Sequence, residues 1–543
     1  GCHEPQNTGG VNRHTLAAKR PPAEITPWYG PPRGFAFARE VQPVLDRYCT
    51  GCHDGRPQWN GKPLADLRGS KMITDWKSDI AGHVSPAVGG KFSVAYAELH
   101  RYVRRPGIES DLHMLSPMDY HADTTELVQL LRKGHYGVEL DPESWDRLIT
   151  WIDLNAPYHG TWSEIVGRPA VEKQAARRRE MLRRYAGVDV DPEAIMPLGT
   201  PALAGGRTAA SPSSSAQRFA ARATEASGPA PLGQSPAAPN ALQAAEAEAS
   251  AGLRLPQIAP AWKPAPPQRF DLGGGVVLEM VHVPPGEFIM GDPQGEADER
   301  PPAAIKIARP FWLGRFEVTN EQFACFDPAH DSHVESMHGY QFGVHGYALN
   351  RPRQPVVRVS WSEAMAFCQW LSQRTGRRFT LPTEAQWEWA CRAGTMTPFF
   401  FGPEDADYTR FANLGDLSLR QLALDTFVQL RVLQNPGKYD DWVPKDERYD
   451  DGVLVTADVG RYQPNPWGLY DMHGNVWEWT LSAYRPCPYR EDDGRNDAAS
   501  PERRVVRGGS WYDRPKRCRS SYRLAYWPFQ RVFNVGFRVA MEP

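Results

Sequence analysis

The sequence predicts a multidomain chain: a mainly α-helical domain over residues 1–190, a linker over 191–268, and an α+β domain with little regular secondary structure over 269–543. Three observations predict this. In the first part, apolar residues at helical spacing lead into the pentapeptide Cys49-Thr50-Gly51-Cys52-His53. From Leu198 to Gln268 the chain is dominated by Ala, Pro, Ser and Gly, with Phe219 and Trp262 as its only aromatics. Beyond Gln268 the composition shifts to Trp, Phe, Gly and Arg. At 543 residues the chain is also too long for a single hydrophobic core.

The helices of the first part follow from spacing and caps. Val41, Val44, Leu45 and Tyr48 share one helical face, and Pro43 suits a first turn, so a helix starts near Gln42 and ends in the pentapeptide. A second helix is expected over 124–133. Thr124 or Thr125 caps it, Leu127, Val128, Leu130 and Leu131 form its stripe, and Gly134 stops it. His135 follows that stop at once. A third helix has Asp141 as N-cap, Pro142 at its first position, and an apolar face of Trp145, Leu148, Ile149 and Ile152.

C-x-x-C-H is the attachment signature of c-type haem. The Cys49 and Cys52 thiols are placed to form thioethers to the porphyrin vinyls, and His53 to reach the iron. A zinc half-site would need a second Cys/His pair at similar spacing, and none lies nearby. Candidates for the sixth iron ligand are His83, His100, His113, His121, His135, Met114 and Met118. A His ligand implies a low potential and a Met a higher one. His135, rigidly placed after a helix stop, comes first, then His121 and His113. The chain opens Gly1-Cys2-His3-Glu4, the end of another C-x-x-C-H whose first cysteine would precede Gly1. A second haem held by Cys2 and His3 is therefore expected, with a lipobox remnant as the rival. Either origin implies a longer polypeptide.

Residues 1–190 resemble the C-terminal haem domain of the hydrazine synthase alpha subunit and its relatives. The matching stretches are Gly1-Cys2-His3-Glu4, Arg39 to His53, Asp119 to Thr124, Lys133-Gly134-His135, and Trp151 to Gly160. The resemblance implies a bis-histidine haem that relays electrons, with a further haem domain and a β-propeller upstream. That family's catalytic haem lies upstream too, so hydrazine chemistry is not implied for these residues. Lys173, Arg177, Arg178, Arg179, Arg183 and Arg184 make a basic helical run, either a solvated face or a docking face for an acidic redox partner.

The linker cannot bury enough apolar surface to offset its ordering entropy, and Gln243–Ala251 could form a short Ala/Glu helix. After it, Val276–Val283 alternates as a strand, and Pro284-Pro285-Gly286-Glu287-Phe288 turns into a second strand ending at Met290-Gly291. Ser360-Trp361-Ser362-Glu363 is a capping box that opens a helix carrying Ala364, Phe367, Cys368 and Leu371. Thr383-Glu384-Ala385-Gln386 opens another, with Trp387, Ala390 and Cys391.

Further motifs are Pro285 to Gly291, Glu317-Val318-Thr319-Asn320, Leu381 to Glu388, Gly468 to Trp479, Arg507-Gly508-Gly509-Ser510-Trp511 and Gly536-Phe537-Arg538. Together they make residues 275–541 similar to the formylglycine-generating enzyme (sulfatase-modifying factor) family. The resemblance implies a C-type-lectin-related α+β fold and two calcium sites. One uses Asp471, Glu478 and the carbonyls of Gly474 and Val476; the other uses Asn413, Asp451 and the carbonyls of Leu414 and Val453. Hard oxygen ligands on irregular loops suit calcium. The family's oxidases hold copper(I) between two cysteines five residues apart, after the Gly-Gly-Ser motif. Here Cys518 matches the first position and Arg523 stands at the second, so the resemblance does not extend to the oxidase chemistry. Cys518 is expected to be a buried packing residue, and Cys368 and Cys391 free core thiols.

With a net charge of −2, nothing argues for a nucleic-acid surface. No apolar run approaches the ~18 residues of a membrane span. A c-type haem is attached outside the cytoplasm, so an extracytoplasmic location is expected: periplasm, cell surface or secreted. The expected function is electron transfer with a redox partner protein, fused to a non-catalytic scaffold or binding domain, in a homo-oligomer or larger haem-protein assembly. The alternatives are a fragment of a multihaem redox enzyme and a structural or glycan-binding surface protein.

Overall fold

The computed structural model describes residues 28–30, 33–56, 64–73, 92–104, 120–195, 257–258, 263, 265–336, 346–422, 424–425, 431–432 and 446–542. The chain divides into two compact units, one of residues 1–39 with 159–231 and the other of 40–158 with 232–543. Segment 40–158 therefore folds in the same unit as the C-terminal domain.

In that larger unit, α1 (Gln42–Tyr48) carries Pro43 in its first turn and buries Val44 and Leu45. α2 (Val94–His100) starts at Ser93, whose hydroxyl accepts from the Tyr96 N–H at 3.2 Å. α3 (Glu126–Arg132) buries Leu127, Val128 and Leu131. It begins later than its sequence suggests, because Ala122–Thr124 forms a separate 3-10 turn and Thr125 is extended. Gly134 ends it in the left-handed region, at φ 83°. α4 (Pro142–Asp153) is capped by Asp141, which accepts from the Ser144 N–H at 2.8 Å. Its buried face is Ser144, Arg147, Leu148, Trp151 and Ile152, so Trp145 and Ile149 sit at the margin. The face is turned because the buried Arg147 guanidinium binds Glu40 and Glu143.

The smaller unit holds α5 (Trp162–Val166), opened by a Thr161/Glu164 capping box, and α6 (Arg168–Met181). α6 buries only Val171 and Ala175. The acidic stretch after it pairs with Arg168 through Asp191 and neutralises part of the basic run: Arg178 pairs with Glu193, and Arg179 and Arg183 with Asp189.

The rest of the larger unit is built of short strands. β1 (Gln268–Gly273) and β2 (Val276–Val283) form a hairpin. β3 (Gly286–Met290) pairs with β4 (Ala303–Ile307). β5 (Phe311–Gly314) pairs with β2. Three helices follow, each opened by a capping box: α7 (Asn320–Ala324) on Thr319/Gln322, α8 (Trp361–Thr375) on Ser360/Glu363, and α9 (Glu384–Arg392) on Thr383/Gln386. β6 (Phe379–Thr380) lies between α8 and α9. β7 (Trp477–Ala483), β8 (Arg504–Arg507), β9 (Arg523–Tyr526) and β10 (Val535–Phe537) make a four-stranded sheet in the order β9-β8-β7-β10, and β7 runs parallel to β10. β11 (Ala540–Met541) closes a five-stranded sheet of order β1-β2-β5-β11-β6.

So little regular structure leaves many buried polar groups to satisfy, and side chains do it. The buried indoles donate to fixed acceptors: Trp389 to the Pro284 carbonyl, Trp479 to that of Val359, and Trp387 to the Glu478 carboxylate. Several arginines are ion-paired in the interior. Arg507 contacts Glu384 and Glu388, Arg523 contacts Glu384, and Arg538 contacts Glu478.

Candidate functional site

The pentapeptide forms a tight turn on the end of α1. The Cys49 N–H donates to the Leu45 carbonyl at 2.8 Å, and the His53 N–H to the Cys49 carbonyl at 2.9 Å. Both thiols are free, Cys49 half-buried and Cys52 exposed. Burial, then Asp46 and Cys52, push the Cys49 thiol up to about 11, so it stays protonated and poorly suited to thiolate ligation. The His53 Nδ1 is buried beside the Ala65 backbone, outside strict hydrogen-bond geometry.

α3 and its glycine stop deliver His135 to the same place. The His53 and His135 rings stand 6.0 Å apart, centroid to centroid, with 31° between their planes. A metal–imidazole bond is about 2.0–2.1 Å, so two rings ligating one ion from opposite sides have centroids roughly 6 Å apart. Burial lowers the basicity of both rings, and each His135 proton is further opposed by His53. Neutral imidazoles are the form that ligates. The donor set therefore fits a haem c, which Cys49 and Cys52 would hold and whose iron His53 and His135 would ligate.

Among the described residues, the other candidates are engaged differently. His121 caps the 3-10 turn, its Nδ1 accepting from the Asp123 N–H at 3.2 Å. His100 is buried with its ring against Tyr96, 5.4 Å between centroids. Cys2, His3, His83, His113, Met114 and Met118 lie outside the described residues, as does the expected helix at Gln243–Ala251.

At the first expected calcium site, Asp471 and Glu478 are both buried, but their states differ. Glu478 is already neutralised: Arg538 Nε donates to it at 2.6 Å and Trp387 Nε1 at 2.7 Å. Asp471 accepts the Gly460 N–H at 2.8 Å through Oδ2, while Oδ1 is buried with no hydrogen-bond partner. Burial pushes its carboxyl up to about 6. Glu317, which sequence reasoning did not assign, has the same signature. It is buried, its Oε2 has no hydrogen-bond partner, and burial and the Asp471 charge hold its carboxyl well above its ordinary range. The Glu317-Val318-Thr319-Asn320 motif carried the signal, without saying that Glu317 faces Asp471. Two buried carboxylates with orphaned oxygens fit a hard cation.

The second expected site is also acidic. The carboxylates of Asp416, Asp450 and Asp451 have oxygens within 4.8 Å of one another. Asp451 is pushed up to about 7 by burial and the Asp416 charge. The Asn413 Oδ1 is buried without a hydrogen-bond partner, whereas the Leu414 carbonyl accepts the Asp416 N–H at 2.9 Å. Val453 contributes its N–H to Asp451 at 2.8 Å. Asn475 joins the two sites, donating to Glu317 and accepting from Asn413.

Cys518 is fully buried among Phe399, Tyr408, Ala412 and Leu414, and burial raises its thiol well above the ordinary value. A Cβ on Gly509, whose φ is 77°, would lie 2.2 Å from its sulfur. The foremost charge beside the thiol is Asp513, five residues upstream. Arg523, five residues downstream, is engaged elsewhere, donating to Glu384 at 2.8 Å and to the Asp298 and Arg485 carbonyls. In neither direction does a second thiol face Cys518, so these residues do not fit a two-cysteine copper(I) site. Cys368 and Cys391 are buried and free, the latter with its sulfur 3.5 Å from His473 Nε2.

Capped short helices, short strands in several sheets and a buried Arg/Glu lattice characterise the C-terminal half. Residues 275–543 match the family described as sulfatase-modifying factor enzyme 1-like domain. The chain is 29% identical over 337 residues to the inactive C-alpha-formylglycine-generating enzyme 2 of Mus musculus, covering 54% of this chain and 94% of that protein. It is 29% identical over 335 residues to the formylglycine-generating enzyme of Streptomyces coelicolor, covering 53% and 96%. Among solved structures, PvdO from Pseudomonas aeruginosa is similar at 27% identity and a TM-score of 0.38, covering 52% of this chain and all of that one.

Proposed function

We propose that this chain is an extracytoplasmic c-type cytochrome, in which residues 40–158 carry an electron-transfer haem and the formylglycine-enzyme-like domain is a scaffold that does not catalyse. The observation that carries the reading is the pair of imidazoles, His53 on the C-x-x-C-H turn and His135 after α3, facing each other at 6.0 Å. Cys49 and Cys52 would hold the porphyrin, and His53 and His135 would fill both axial positions. A haem c so held would supply a one-electron couple. Partial burial of both rings favours their neutral form. The function of such a site is exchange with a redox partner protein, within an oligomer or a larger haem-protein assembly.

For the scaffold, the missing second thiol beside Cys518 argues against oxidase chemistry, and a similar mammalian protein is itself called inactive. Calcium at Asp471 with Glu317, and at Asp451 with Asp416 and Asn413, would stabilise its loops. Intact mass of the native protein with a pyridine haemochrome assay tests the proposal. One haem mass per C-x-x-C-H, lost in Cys49→Ala/Cys52→Ala, is the expected result. Protein of unmodified mass from its native host would overturn it.

A further inference from the structure

Lys133, two residues before His135, is almost fully buried in the body of the C-terminal domain. Its ammonium donates to Asp298 Oδ1 at 2.6 Å and to the Arg523 carbonyl at 2.7 Å, and it lies 4.2 Å over the Tyr522 ring. The donors of a buried ammonium must be satisfied, and these three partners do it. The partners are fixed in turn. Asp298 Oδ2 accepts from the Tyr484 hydroxyl at 2.5 Å, and its carbonyl accepts from Arg523 at 3.1 Å. Arg523 is anchored on Glu384. Only Gly134 separates this clamp from His135, and a Cβ there would already touch the Ala297 side chain at 3.4 Å. The neighbouring Glu296 is pinned by Lys516 at 2.6 Å, and both charges act on the His135 ring.

We propose that the formylglycine-enzyme-like domain sets the position of His135 through this clamp, so that Lys133, Asp298 and Arg523 are positioning residues for the second axial ligand. The proposal rests on the bis-histidine reading above. It gives the C-terminal domain a definite task. The alternative is that these contacts merely weld two parts of one unit. A second buried pair serves as the control. Arg104 Nη1 donates to Glu335 at 3.0 Å, both side chains 4% exposed, on a different segment from His135.

The experiment uses the haem-loaded full chain with Asp298→Asn, Lys133→Met, Lys133→Arg and Glu335→Gln. Electron paramagnetic resonance and carbon monoxide binding report the sixth ligand, and thermal melting reports folding. Asp298→Asn and Lys133→Met are expected to lose the low-spin signal in part and become reactive to carbon monoxide. Lys133→Arg is expected to restore some of the low-spin signal. Glu335→Gln should melt lower yet stay low-spin and inert. Should Asp298→Asn fail to fold, Lys133→Met alone decides. Clamp variants as low-spin and inert as the wild type would overturn the proposal. A wild type that is already high-spin would overturn the bis-histidine reading itself.

Discussion

Removing divalent cations should make stability fall as pH rises through the neutral range. The buried Asp471 carboxyl is displaced from 3.8 to about 6. The Asp451 carboxyl is displaced from 3.8 to about 7. A group whose folded value is raised binds its proton more tightly when folded. Its stabilising effect is full below the unfolded value and lost as pH climbs through the folded one. Each unit of displacement is worth about 1.4 kcal/mol, which puts the loss at Asp471 near 3 kcal/mol and that at Asp451 near 4 kcal/mol. Calcium bound at each of the two sites would hold both carboxylates ionised and cancel the loss. Differential scanning calorimetry in EDTA and in millimolar calcium, at pH 5 and pH 7.5, measures it. About 4 kcal/mol of the combined loss falls between those pH values, so at roughly 2–4 °C per kcal/mol the C-terminal transition in EDTA should drop by about 8–16 °C, and in calcium it should barely move. A transition insensitive to pH in EDTA, or unaffected by calcium, would refute the reasoning.

Other outcomes follow from single contacts. Arg538→Met leaves Glu478 buried without its counter-charge, and chemical denaturation should show a loss of about 3–5 kcal/mol. Gly509→Ala forces a Cβ onto the Cys518 sulfur at a positive φ, so it should destabilise by about 2 kcal/mol or more, whereas Cys518→Ala should cost about 1 kcal/mol by the same denaturation assay. Equilibration with copper(I) under a competing chelator should give equal metal content for wild type and Cys518→Ala; a stoichiometric difference would show that one thiol suffices.

The sequence was most informative where structure is local. The Ser360 and Thr383 capping boxes, the strand at Val276–Val283 and the helix stop at Gly134 all lie where spacing places them. The face of α4 was less legible, since the buried Arg147–Glu40 pair joins residues 107 apart and overrides the apolar stripe. Among the site residues, the C-x-x-C-H turn and the candidacy of His135 could be read directly. Glu317 could not, because its partner Asp471 comes from a distant loop and only burial reveals two orphaned oxygens. The neutralisation of Glu478 by Arg538 was hidden for the same reason, as was the clamp on Lys133.

The central claim is that His53 and His135 are the two axial ligands of one haem. Electron paramagnetic resonance of the oxidised full chain tests it directly, with His135→Ala beside it. The account predicts a low-spin bis-histidine signal in the wild type and a high-spin signal in His135→Ala. A wild type with no low-spin haem, or a His135→Ala spectrum identical to it, would contradict the account.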